Sequence, residues 1–176
     1  MKASRLIAVS LFAALGMSSL QAQTTWYANN AGYYAELGYS ALDLKVNGGE
    51  TSTPQIVRVT VGKELHKYMA VEAMYATTVS RDGKATYSGE YTGYGLMLKP
   101  KMALTGSTEL FARLGWARSD ITASAAGATT GSDVLSGAGI QTKFTPNVFG
   151  QIDYTNYFHR SGIKAQGWGI SAGMNF

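Results

Sequence analysis

The chain has 176 residues, with 15 Lys and Arg against 11 Asp and Glu, a formal net charge of +4, two histidines and no cysteine. Its length fits one domain, and the missing cysteine excludes a disulfide scaffold and a thiolate metal site. With only His66 and His159 no metal centre or cofactor is expected, and no Lys/Arg run offers a footprint for nucleic acid.

The first segment reads as a secretory signal peptide spanning residues 1–22. Lys2 and Arg5 precede an apolar run from Leu6 to Leu15, and GMSSLQAQ then supplies a small-residue cleavage site after Ala22. The run is too short for a membrane anchor, which needs about 20 apolar residues. Residues 23–176 are then a single domain outside the cytoplasm. Its charge, +4 less the two of Lys2 and Arg5, is +2. Abundant glycine and tyrosine with little proline suit strands over helix bundles.

From residue 32 onward the period is two. In GYYAELGYSA (32–41), Tyr33, Ala35, Leu37 and Tyr39 share a face opposite Tyr34, Glu36, Gly38 and Ser40. QIVRVTVG (55–62) sets Val57, Val59 and Val61 against Ile56, Arg58, Thr60 and Gly62. MAVEAMYAT (69–77) and YTGYGLMLK (91–99) repeat the scheme, with Glu72 and Lys99 on the less apolar side. ELFARLGWA (109–117) does so with Glu109 and Arg113, VLSGAGIQTKF (134–144) with Lys143, and VFGQIDYTN (148–156) with Asp153. The eighth segment, ending SAGMNF, alternates Trp168, Ile170, Ala172 and Met174 with small residues. Each is about 10 residues long, the length of a strand that crosses a bilayer.

Tight connections fall around Glu64–Lys67, Pro100–Ser107 and Thr145–Asn147. Longer ones, 42–54, 79–89, 119–133 and 158–163, carry Lys45, Glu50, Arg81, Asp82, Lys84, Ser119 and Asp120. Short turns at one end and long loops at the other predict an all-β fold, an eight-stranded antiparallel up-and-down transmembrane β-barrel. The polar face is expected inside, because small residues and paired charges fit so narrow a barrel and bulky rings do not. The expected lumen charge network is Glu36, Arg58, Glu72, Lys99, Glu109, Arg113, Lys143 and Asp153, four acids against four bases. The apolar face then meets lipid. It places Tyr33, Phe144 and Phe176 in a periplasmic aromatic girdle, and Tyr39, Tyr75, Tyr94, Trp116, Tyr154 and Trp168 in an outer one.

These segments, together with VGKELHKYMAVEAMYA (61–76), GYGLMLKPKMALTGSTELFARLGWA (93–117) and SGAGIQTKFTPNVFGQIDYTNY (136–157), resemble the outer-membrane β-barrel family that includes the OmpA and OmpX transmembrane domains. The resemblance spans 28–176. It implies residence in the outer membrane of a Gram-negative bacterium, among outer-membrane lipid and lipopolysaccharide. It also implies insertion by the outer-membrane assembly machinery, which reads a terminal aromatic and alternate apolar positions. Phe176, Met174, Ile170 and Trp168 match that signal, while Ser171 stands where the family often has glycine. A peptidoglycan-binding domain after the barrel is not expected, so the resemblance does not imply tethering to the cell wall.

NYFHRSGI (156–163) is similar to the His-x-Ser of outer-membrane lipid A deacylases, through His159 and Ser161. No Asp or Glu follows Asp153 to orient the imidazole. Alternation also turns odd residues of this strand inward, away from lipid. The stretch is read as a polar loop tip, the protein as no enzyme, and no residue as catalytic. The expected role is a plugged barrel with a structural or surface-interaction function, a host or surface ligand being bound through the loops. A narrow gated pore is the alternative, a lipid A-modifying enzyme a lesser one, and a soluble lipocalin-like binder the last.

Overall fold

Alternation becomes nine strands in the computed structural model, which describes residues 32–46, 51–81, 89–123, 127–160 and 162–176. The predicted signal peptide, Glu50, Asp82, Lys84 and Ser161 lie outside the described residues. The strands are β1 Tyr33–Val46, β2 Thr51–Ser52, β3 Gln55–His66, β4 Met69–Ser80, β5 Gly89–Ala103, β6 Thr108–Ala123, β7 Gly127–Lys143, β8 Val148–Arg160 and β9 Ile163–Asn175. Each long strand pairs antiparallel with the next, and β9 returns to β1 from Tyr34↔Asn175 to Val46↔Ile163. The result is a closed eight-stranded barrel. The ninth strand, β2, is a short return against the far end of β1.

Closure leaves no sheet edge, which hydrocarbon would penalise by several kcal/mol for every unpaired backbone group. Two of the tight turns share one device. In LTGST (104–108) the Thr105 hydroxyl accepts the Ser107 and Thr108 N–H groups at 3.3 and 3.0 Å. In FTPNV (144–148) Thr145 does the same for Asn147 and Val148. Such hydroxyl–backbone bonds give the turn its own partners where the ladder ends.

The strands run further than the alternation predicts. The expected loop 119–133 is mostly the continuation of β6 and β7, paired as far as Ala123↔Gly127. The expected loop 158–163 contains only a short turn, where Gly162 adopts a φ of 78°. That left-handed conformation suits a residue without a Cβ. Strands of 12 to 17 residues exceed the roughly 10 a bilayer needs, so the barrel projects beyond the outer girdle.

The outward face is apolar along the middle of the strands. Leu96, Leu114, Trp116, Trp168 and Ile170 are each 60% exposed or more. The inward face differs from expectation, since it holds large rings as well as charges: Tyr34, Tyr91, Phe111, Phe149, Tyr157 and Phe158 are all buried. Glycines make the room. A Cβ at Gly62 on β3 would run into the Tyr34 ring of β1, one at Gly173 on β9 into the Phe149 ring of β8, and one at Gly93 into the Tyr91 hydroxyl two residues back on the same strand. Both Tyr157 and Phe158 face inward because a bulge interrupts β8 between Asn156 and Phe158.

Candidate functional site

The interior is layered. Next to the tight turns Tyr34, Ala70 and Phe149 pack together. Above them lies a buried ionic cluster, and towards the long-loop end an apolar layer that includes Leu42, Leu44, Ile56, Ile121, Leu135 and Phe158.

Six strands supply the ionic cluster, one charge each: Glu36 from β1, Arg58 from β3, Glu72 from β4, Lys99 from β5, Arg113 from β6 and Asp153 from β8. All six are buried. Arg58 holds Asp153 through both guanidinium ends, Nη1 to Oδ2 at 2.9 Å and Nη2 to Oδ1 at 2.6 Å. Its Nη2 also donates to Glu36 at 3.1 Å, and Nη1 to the Tyr157 hydroxyl at 3.0 Å. Arg113 donates from Nε to Glu72 at 2.6 Å and from Nη2 to the other Glu36 oxygen at 3.0 Å. Glu36 therefore bridges two guanidinium groups, and Asp153 lies within 3.4 Å of Arg113 as well. Lys99 reaches Glu72 at 3.2 Å and donates to the amide oxygens of Gln141 and Gln151.

The rings complete the shell. The Tyr34 hydroxyl donates to Glu72 at 2.7 Å, and the Lys99 ammonium sits 4.5 Å from the centroid of Phe111. Three acids face three bases, each in charge-assisted hydrogen bonds, which is the condition for burying charge.

Glu109 and Lys143 do not join this cluster. They lie at the tight-turn mouth, 3.5 Å apart, and the Lys143 side chain is 41% exposed. The expected eight-member network is thus corrected to six. β7 ends at Lys143, so its side chain is at the mouth. Two unforeseen charges complete this second group: Lys101 pairs with Glu64 at 2.7 Å and approaches Glu109 at 3.7 Å. Pro100 reads as the start of a turn, whereas β5 continues to Ala103 and turns the Lys101 side chain inward. Tyr34, Tyr157, Gln141 and Gln151 carry no charge, and their one signal is the parity they share with the charged residues.

The girdle residues stand outward. Tyr33, Phe144 and Phe176 are exposed at one end, and Tyr39, Tyr75, Tyr94, Trp116 and Trp168 towards the other. Tyr154 is half-buried, its ring 5.2 Å from that of Trp168. On β9, Trp168 and Ile170 project from the barrel and Met174 is half-buried. Phe176 N–H donates to the Tyr33 carbonyl at 2.8 Å, and Tyr33 N–H to the Phe176 carbonyl at 3.1 Å. His159 differs from the inward orientation that alternation predicts. Beyond the β8 bulge it is exposed, opposite Lys164, and its backbone N–H donates to Asp133 at 2.6 Å.

Comparison with known proteins follows the same lines. The sequence matches the model of the outer membrane protein beta-barrel domain over residues 10–176. The fold is similar to that of Ail, the attachment invasion locus protein of Yersinia pestis, with a TM-score of 0.63, 19% identity, and coverage of 84% of this chain and 100% of that one. Ail has also been solved in complex with the heparin analogue sucrose octasulfate. Neisserial surface protein A aligns with a TM-score of 0.63, 14% identity, and coverage of 84% and 100%. The N-terminal barrel domain of Pseudomonas aeruginosa OprF gives 0.56, 16%, and coverage of 80% and 97%. At these identities the likeness is one of fold. No curated protein matches the sequence significantly.

Proposed function

Because the chain belongs to the outer-membrane β-barrel family and resides in the outer membrane, we propose that it is a closed barrel that conducts no ions and acts at the cell surface. The observation that carries this reading is the double filling of the interior. A solute entering from the tight-turn end meets six buried, mutually bonded charges, then an apolar layer with Leu42, Leu44, Ile56, Ile121 and Leu135. Passage requires breaking the ion pairs and wetting the apolar layer together, and each opposes it through desolvation.

The long strand extensions beyond the outer girdle support a surface role, since binding residues concentrate on loops carried by rigid scaffolds. Likeness to Ail, named for attachment, fits that class. Single-channel recording of the refolded protein in planar bilayers tests the closed state. The expected trace is flat, and a steady open conductance of porin size overturns it.

A further inference from the structure

Cross-strand pairing sets an unusual row at the outer end of β8, β9 and β1. His159 of β8 lies opposite Lys164 of β9, and Lys164 lies opposite Lys45 of β1. Paired residues share a face, and all three are exposed. Like charges placed directly opposite destabilise a sheet, with side-chain roots about 5 Å apart. Among the described residues neither lysine has an ion-pair partner. Among the described residues the acids at these strand ends are Asp43, two positions below Lys45 and opposite Gln166, and Asp133, which is occupied by the His159 backbone. Arg160, next along β8, adds a further cation and donates to the Ser132 carbonyl.

Height decides what would offset the repulsion. Directly below the row on the same face run Asp43, Gln166 and Asn156, then Ala41, Trp168 and Tyr154. Lys164 is therefore four residues above the girdle tryptophan, about 13 Å along the strand and about 10 Å along the axis of a tilted barrel. That is the outer part of the headgroup layer, on the surface that continues downward into lipid contact.

We propose that Lys45, Lys164 and His159 form a binding site for the phosphorylated sugar headgroup of an outer-leaflet glycolipid. Its acyl chains would lie against the outward face of β9 and β1 at Trp168, Ile170, Tyr39 and Leu37. The lysines cancel their mutual repulsion on the shared phosphates, and the Trp168–Tyr154 ring pair fixes the depth of the headgroup. Nothing in this site depends on whether the lumen conducts.

Titration calorimetry of the full refolded chain in mixed micelles tests the proposal, with lipid A and phosphate-stripped lipid A as probes. Lipid A is expected to bind, and the Lys45→Gln, Lys164→Gln double variant to bind roughly thirty-fold more weakly, from the usual contribution of two lysines at an anionic surface. Lys63→Gln, Lys67→Gln, which removes the same charge at the opposite end, is expected to bind as the unaltered protein does. Retention of the heat-dependent gel shift identifies variants that still form the barrel, and each single lysine variant serves if the double fails to fold. Equal binding of stripped lipid A, or undiminished binding by the folded double variant, overturns the proposal. Displacement of lipid A by soluble inorganic polyphosphate of equal affinity also overturns it, by assigning the row to a soluble polyanion.

Discussion

Arg58 is the residue on which the ionic cluster turns. It holds Asp153 with both ends of its guanidinium group while also bonding Glu36 and Tyr157. Replacing it by Met keeps the bulk and removes the charge, leaving Asp153 of β8 without its principal partner and Glu36 of β1 with Arg113 alone. Breaking one side of such a buried pair costs about 3–5 kcal/mol. Arg58→Met is therefore expected to lower the stability of the refolded barrel by about that amount in urea titrations followed by tryptophan fluorescence. Adding Asp153→Asn to it should restore part of the loss, because one uncompensated carboxylate is then neutral. A double variant no more stable than Arg58→Met contradicts this account of the cluster.

β9 carries the comparable burden among the elements, since it pairs with β8 on one side and closes the barrel on β1 on the other. Ile170 faces outward in its middle, where a lysine in the bilayer costs about 2–4 kcal/mol. Ile170→Lys, and separately removal of Phe176 with its two backbone bonds to Tyr33, are expected to reduce the heat-modifiable fraction in outer-membrane preparations. Lys45→Gln in the projecting region should leave that fraction unchanged. The faces of these strands were legible in the sequence because period two separates lipid from lumen, so Glu36, Arg58, Glu72, Lys99, Arg113 and Asp153 could be assigned inward without coordinates. Strand ends were not legible. Beyond the girdle the outward face of β6 meets water with Asp120 and Thr122 while Ser119 and Ile121 stay buried, so at SDITA the polar face becomes the outer one and the lipid-facing pattern ends while the backbone ladder continues. The buried rings were hidden for a different reason. Tyr34 fits inside only because Gly62 and its ring occupy one space between them, and that pairing belongs to the register of two strands. The bulge that turns His159 outward likewise leaves no mark in the residue pattern.

Taken whole, the molecule is a cylinder filled by two layers of different physics. On the proposed reading the ionic layer would resist solutes through the cost of unpairing charge, and the apolar layer through the cost of wetting Leu42, Leu44, Ile56, Ile121 and Leu135. The two are independent, so the Arg58→Met, Asp153→Asn variant is expected to stay silent in the same planar-bilayer recording although its cluster is disrupted. Steady current through it would place the barrier in the charges alone. The cluster also governs the order in which the chain can fold. Neighbouring strands hold two of the pairs, Arg58 with Glu36 and Lys99 with Glu72, but Arg58 meets Asp153 across 95 positions and Arg113 meets Glu36 across 77, so no single hairpin can complete the cluster. Contacts this distant in sequence form slowly, and a half-built cylinder in hydrocarbon would carry naked carboxylates and guanidinium groups. Until β8 brings Asp153, Arg58 lacks its two-ended partner, so the salt bridges are complete only once the strands from β1 to β8 have come together.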